Sequence, residues 1–265
     1  MGLHSVPVMR LPLYVALALL AACGEQTQAP TPPAKPGELT LPDCFGTLLS
    51  KTHYTICHDG NWLIPEWVGY VLRAEDLNGP ASRSDDFRAD PALPAGHRAE
   101  LADYQGSGYD RGHMAPAGDF NRSSEAMTET FFLSNMAPQT AELNRGPWEQ
   151  LESFVRARAA ARGSIQVFTG NLFLDAAGRV TQPTTRIGSH HVAVPTHCWK
   201  ALLTTASDGQ AVAYAFLEPN DGAPPSYSSG QTTVDALERL TGFDFFATVA
   251  AGEQARVESE TATLP

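Results

Sequence analysis

The chain has 265 residues, 43% hydrophobic and 18% charged, enough apolar mass for one sizeable core. Its formal net charge of −11 and pI near 5.1 exclude a uniformly basic protein that coats nucleic acid or anionic membrane through bulk charge.

The N-terminus carries Arg10, an apolar run from Leu11 to Ala22, and then Cys23. The run is shorter than the ~20 residues a membrane-spanning helix needs, and it has the form of a secretory leader. Its ending, LAAC, resembles a bacterial lipobox, so residues 1–23 are expected to be a lipoprotein signal with lipid on Cys23. A leader cleaved without lipid is the alternative. The first reading anchors the exported protein to a bacterial membrane, on the periplasmic side or at the outer membrane; the second leaves it secreted. Residues 24–40, rich in Pro, Thr, Gln and Ala, read as a tether that reaches roughly 50 Å at ~3.1 Å per residue.

Residues 41–250 carry the globular patterns, and 251–265 read as a polar tail. Cys44 and Cys57 flank a turn region, and pairing or staying reduced are both open to them; Cys198 is then free or buried. No cysteine–histidine spacing suits zinc. HYTICHDG and WVGYVLRAEDL are β-rich. PWEQLESFVRARAAARG predicts a helix with Pro147 at its first position, Leu151, Phe154, Val155 and Arg158 on one face, and Gly163 at its end. IQVFTG predicts a short buried strand. Asp208-Gly209 predicts a hairpin between HVAVPTHCWKALLTT and AVAYAFLEP. TTVDALERLTG predicts a closing helix. One long helix among several strands gives an α+β class with a mixed or antiparallel sheet core.

Between these elements lie residues suited to phosphodiester chemistry, which needs an activated water, a cation and positive groups on the phosphate. His113, in YDRGHMAPAGDF, is a candidate base beside the conformationally free Gly112. Asn144, in ELNRGPWEQLE, is a candidate ligand for Mg²⁺, which keeps most of its water and needs only one or two protein oxygens. Glu152, on the following helix, could orient that hydration shell. Arg88 and Arg111 are candidate phosphate binders. Asn135, polar within FFLSNMAPQ, orders either the backbone or the substrate. Taken singly, each has an ordinary structural alternative: a turn histidine, a helix cap, a surface ion pair, a solvated helix residue.

Together, DDFRADP, DYQGSGYDRGHMAPAGDF, TFFLSNMAPQTAELNRGPWEQLE, VFTG and HVAVPTHCWK resemble the DNA/RNA non-specific endonuclease family. The likeness runs from about Tyr54 to Phe246. It implies a ββα-metal finger, His113 as general base, Asn144 as the direct protein ligand of Mg²⁺ (with Mn²⁺ as a substitute), and Glu152 as support for the metal's waters. It also implies Arg88 as the phosphate-binding catalytic arginine, Arg111 and Asn135 close to the site, and a homodimer. DNA and RNA are the implied substrates, cleaved without base specificity to 5′-phosphate and 3′-hydroxyl ends. Two other readings remain: a phosphodiesterase on a non-nucleic-acid substrate, and a non-catalytic lipid-anchored binding protein. One feature of the chain runs against the nuclease reading. Residues 83–162 hold nine arginines, no lysine and twelve acids, so no basic stripe is visible.

Overall fold

The protein is described by a computed structural model covering residues 39–222 and 225–264. The expected leader, the lipidated Cys23 and nearly all of the tether fall in residues 1–38, outside the described residues.

The first strands are β1 (Thr47–Ser50), β2 (Thr55–Asp59) and β3 (Ile64–Arg73), followed by a short helix α1 (Leu101–Tyr104). Next come β4 (Asp110–His113), α2 (Ser124–Glu129), β5 (Met136–Gln139), α3 (Ala141–Asn144) and the long α4 (Pro147–Arg162). The second half holds β6 (Ser164–Leu172), β7 (Arg186–Ile187), β8 (Val192–Ala193), β9 (His197–Thr205), β10 (Ala211–Pro219) and β11 (Gln231–Thr232). Helices α5 (Val234–Thr241) and α6 (Ala251–Ser259) close the chain.

Seven strands form one antiparallel sheet in the order β1-β2-β3-β6-β9-β10-β11. Alternation along each strand divides the core between the two faces. On β9, Trp199, Ala201 and Leu203 join Phe168, Phe245 and Phe246 on one side, under α5 and α6. Cys198 and Leu202 face the other side, where Trp148, Leu151 and Val155 of α4 pack with Val68, Tyr70 and Val167. The class is therefore α+β, as the sequence predicts.

Local chemistry explains the element ends. Pro147 opens α4 and Gly163, at φ +85°, ends it, while Trp148, Leu151, Val155 and Ala159 recur at helical spacing on its buried face. Thr233 caps α5 by accepting from the Ala236 N–H, and Gly242 ends it in the left-handed region. Asp208 and Gly209 form the predicted β9–β10 turn. Two expectations differ. The short IQVFTG strand is part of a nine-residue central strand. Residues 251–265, read as a polar tail, begin with α6; Val257 is buried and Ala262 and Leu264 pack on the core. The apolar positions there are too sparse to reveal a helix by periodicity.

Cys44 and Cys57 form a disulfide, and Cys198 is free and buried. The bridge closes a loop with a sequence separation of 13. Its removal by a Cys44→Ala, Cys57→Ala double change is expected to lower stability by about 3 kcal/mol. Urea unfolding of the two proteins checks this, and equal midpoints would contradict it.

Candidate active site

Strands β4 and β5 pair outside the main sheet, placing Gly112 opposite Ala137 and His113 opposite Met136. A Cβ on Gly112 would collide with the Gln139 side chain, so glycine permits the close packing of this ribbon. The ribbon is anchored by Asn220 at the end of β10, whose amide donates to the Pro138 and Pro195 carbonyls at 3.0 and 2.8 Å. Asn220 Oδ1 also accepts from the Thr140 N–H at 2.8 Å. Thr140 in turn caps α3, at whose far end stands Asn144. Gly146 then allows the chain to pass the Glu142 carbonyl and enter α4. The ribbon and α4 thus make a ββα unit, with Trp148 Nε1 donating to the His113 carbonyl at 3.2 Å.

A cavity of about 350 Å³ lies within this unit, lined by His113, Asn144, Glu152, Arg111, Arg83 and Arg156, together with Arg145, Glu149 and the turn 116–118. The His113 imidazole is packed edge-on against Phe87 and Phe131, with centroids 5.7 and 5.2 Å away. It is 8% exposed, and its Nε2 is buried with no hydrogen-bond partner among the described residues. Burial, with the Arg83 and Arg111 charges, pushes its pKa down to about 3. At neutral pH it is an uncharged ring able to accept a proton.

The same two phenylalanines carry the neighbouring cations. Arg111 stacks on Phe87 at 4.1 Å and Arg83 lies over Phe131 at 5.0 Å. Arg111 makes no ion pair among the described residues, and its Nε is buried without a partner. Arg83 pairs with the exposed Asp85. Four arginines line the cavity of an otherwise acidic chain; Arg83, Arg145 and Arg156 are each paired with an aspartate, which leaves Arg111 as the lining arginine without an ion pair among the described residues.

Asn144 Nδ2 donates to Asp110 Oδ2 at 3.0 Å, and Arg145 holds the same carboxylate through two bonds of 2.8 and 2.7 Å. With its amide nitrogen engaged, Asn144 is left with its carbonyl oxygen as the free group. Arg145 is the first reason Asp110 has a depressed pKa. The oxygen donors here, Asn144 with Glu152 on α4, fit a hydrated hard cation and not a soft one.

Behind Glu152 lies a buried charged network. Asp119 accepts from Tyr70 Oη at 2.8 Å and from Arg156 at 3.2 Å. Lys200, 1% exposed, donates to Thr169 Oγ1 at 2.8 Å and lies over the Trp148 ring at 4.5 Å. Burial raises the pKa of Glu152 and lowers that of Lys200, each opposed by the other's charge.

The structure therefore brings His113, Arg111, Asn144 and Glu152 to one cavity. Two expected residues stand elsewhere. Arg88 is held by the Asp86 carboxylate at 2.9 Å, the Thr128 carbonyl at 3.2 Å and the Phe132 ring at 4.1 Å, and does not line the cavity. Asn135 is fully buried: its amide donates to the Ala115 and Thr130 carbonyls and accepts from the Ala115 N–H, so it orders backbone. Arg83, Arg156 and Lys200 were not singled out by sequence. Arg156 was findable, one helical turn after Glu152. Lys200 shows only as a charge on the core-facing side of a strand.

Comparison with known proteins agrees with this geometry. Residues 42–252 match the family described as DNA/RNA non-specific endonuclease. The chain is 39% identical over 225 residues to the mitochondrial endonuclease G of Bos taurus, covering 82% of this chain and 75% of that protein. It is 36% identical to nuclease C1 of Cunninghamella echinulata var. echinulata, covering 75% and 82%. A nuclease of Nostoc sp. is 33% identical, covering 86% and 82%. Among solved structures, a chain of the EndoG/EndoGI complex superposes with a TM-score of 0.73 at 32% identity, covering 79% of this chain and 89% of that one.

Proposed function

This chain belongs to the DNA/RNA non-specific endonuclease family, and from that premise we propose a magnesium-dependent endonuclease in which His113 is the general base. The observation that carries the assignment is a neutral imidazole lining the same cavity as the amide oxygen of Asn144 and Arg111, where among the described residues the His113 Nε2 has no hydrogen-bond partner and Arg111 no ion pair.

The residues divide the work as follows. Arg111 and Arg83 hold the non-bridging oxygens of the scissile phosphate, and their aromatic supports limit their freedom. His113 takes a proton from a water, whose oxygen bonds to phosphorus opposite the leaving group. The bond from phosphorus to the 3′ oxygen breaks, and that oxygen takes up a proton from solvent. Asn144 and Glu152 would hold Mg²⁺, or Mn²⁺ in its place, which supplies positive charge to the phosphate and the departing oxygen. Asp110 fixes Asn144, while Asp119 and Arg156 fix the surroundings of Glu152. Backbone contacts dominate this scheme, so DNA and RNA are both substrates, without base reading. Export on a lipidated Cys23 and homodimer formation belong to the same proposal.

Supercoiled plasmid and RNA should both be cut in Mg²⁺, stop being cut in EDTA, and be cut again when Mg²⁺ is restored. Cutting that persists in EDTA, or hydrolysis of small chromogenic diesters alone, contradicts the reading. Within the site, Arg83→Ala and Arg111→Ala should each lower kcat/KM by about 10- to 100-fold through lost charge-assisted bonds. Arg88→Ala should lower it less, since its partners lie within the protein. A greater loss from Arg88 than from Arg83 in steady-state kinetics would reverse that assignment.

A further inference from the structure

Away from the active-site cavity, three carboxylates meet between α5 and α6. Asp235 and Glu238 lie three residues apart on α5 and share a face. Glu258 reaches them from the last turn of α6. One oxygen of each lies within 4.8 Å of the other two. Among the described residues, none of the three has a Lys, Arg or His at ion-pair distance.

Proximity of acids alone is common at surfaces. Glu258 makes this cluster different. It is 5% exposed, and its Oε1 is buried with no hydrogen-bond partner among the described residues. Gln254 is the polar side chain that supports it, while Glu238, Asp244 and Asp235 all oppose its charge. Glu238 uses one oxygen to accept from the Phe245 N–H at 2.8 Å, which leaves its other oxygen available. A buried carboxylate beside like charges is unfavourable unless a proton or a cation compensates it.

We propose that Asp235, Glu238 and Glu258 form a second cation site, separate from the active site, that binds Ca²⁺ and clamps α6 onto α5. The donors are all oxygen, which selects a hard ion over zinc or copper. They come from two helices with side chains of unequal length, which suits the variable six- to eight-fold coordination of Ca²⁺ better than the strict octahedron of Mg²⁺. The clamp would secure the last turn of α6, where Glu258 stands. Helix α6 is also held by Val257 in the core, by Glu253 accepting from the Ala211 N–H at 3.1 Å, by Arg256 donating to the Ala211 carbonyl at 2.9 Å, and by Gln254 donating to Asp244 Oδ1 and the Phe245 carbonyl at 3.3 and 3.4 Å.

Thermal unfolding of the full chain, first in chelator and then in Ca²⁺, tests this without reference to activity. At roughly ten times the Kd, Ca²⁺ should raise Tm by about 3–5 °C. The same rise is expected in Asn144→Ala, which lacks the proposed active-site ligand. Glu258→Gln should unfold at or above the wild-type temperature in chelator, because it removes a buried charge, and should lose the Ca²⁺ response. Asp235→Asn, at a carboxylate less buried than Glu258, should weaken that response and serves if Glu258→Gln does not fold. No Ca²⁺ shift in the wild type, or equal shifts in the wild type and Glu258→Gln, overturns the proposal and leaves a proton on Glu258 as the compensation.

Discussion

Replacing His113 by alanine is expected to lower kcat by about 10³-fold, the middle of the range for loss of a general base. The residue lines the cavity beside Arg83 and Arg111, and both cations help to keep the ring neutral. The ring also fills space between Phe87 and Phe131, so alanine leaves a void. His113→Gln, closer in volume, and a melting curve for each variant separate lost chemistry from lost structure. Turnover within tenfold of wild type in both folded variants would remove His113 from the mechanism. The pH dependence follows from the same environment. With its pKa near 3 in the folded protein and near 6.5 in the unfolded chain, His113 binds a proton more readily when unfolded. Its contribution to stability is therefore intact above pH 6.5 and falls as pH drops from there towards 3. His113→Gln should flatten that part of the stability profile. In kcat/KM the acid limb assigned to His113 should lie well below pH 6.5.

Asn144→Ala carries the second large effect. Cleavage at saturating Mg²⁺ should fall by about 100-fold or more, and the Mg²⁺ concentration for half-maximal rate should rise at least about tenfold. Asn144→Asp keeps an oxygen at the same place and should retain part of the metal response, although its charge faces Asp110, which the native amide donates to at 3.0 Å. An unchanged Mg²⁺ titration in Asn144→Ala would exclude this residue as the ligand. The two variants should also differ in kind. Excess Mg²⁺ should recover some activity in the Asn144 variant and none in the His113 variant.

Much of the fold can be read from local chemistry that tertiary contacts did not override. Pro147 and Gly163 bracket α4, Thr233 and Gly242 bracket α5, and Asp208-Gly209 turns the chain between β9 and β10. The central site residues were legible for a related reason. His113 and Asn144 belong to short segments whose glycines, Gly112 and Gly146, are required by close backbone or side-chain neighbours. The arginines were not legible to the same degree. Arg83 and Arg88 are separated by four residues in a segment without regular structure apart from an isolated bridge at Arg88, and nothing in their spacing says which guanidinium turns to the cavity. The packing of Phe131 and Phe132 decides it, one ring under each arginine. Asn135 illustrates the same limit, since its amide's partners, Ala115 and Thr130, are fixed only once β4 and β5 have paired. Charge was the least legible feature. An acidic total conceals four arginines gathered on one cavity from positions 83 to 156.

The central claim is spatial: a cation held by Asn144 in the cavity that His113 lines. An anomalous difference map from crystals soaked in Mn²⁺ measures it directly. The account predicts a strong peak about 2.2 Å from the Asn144 carbonyl oxygen, inside that cavity. Density confined to the Asp235, Glu238 and Glu258 cluster, with none beside Asn144 under conditions where the enzyme cuts, would contradict it.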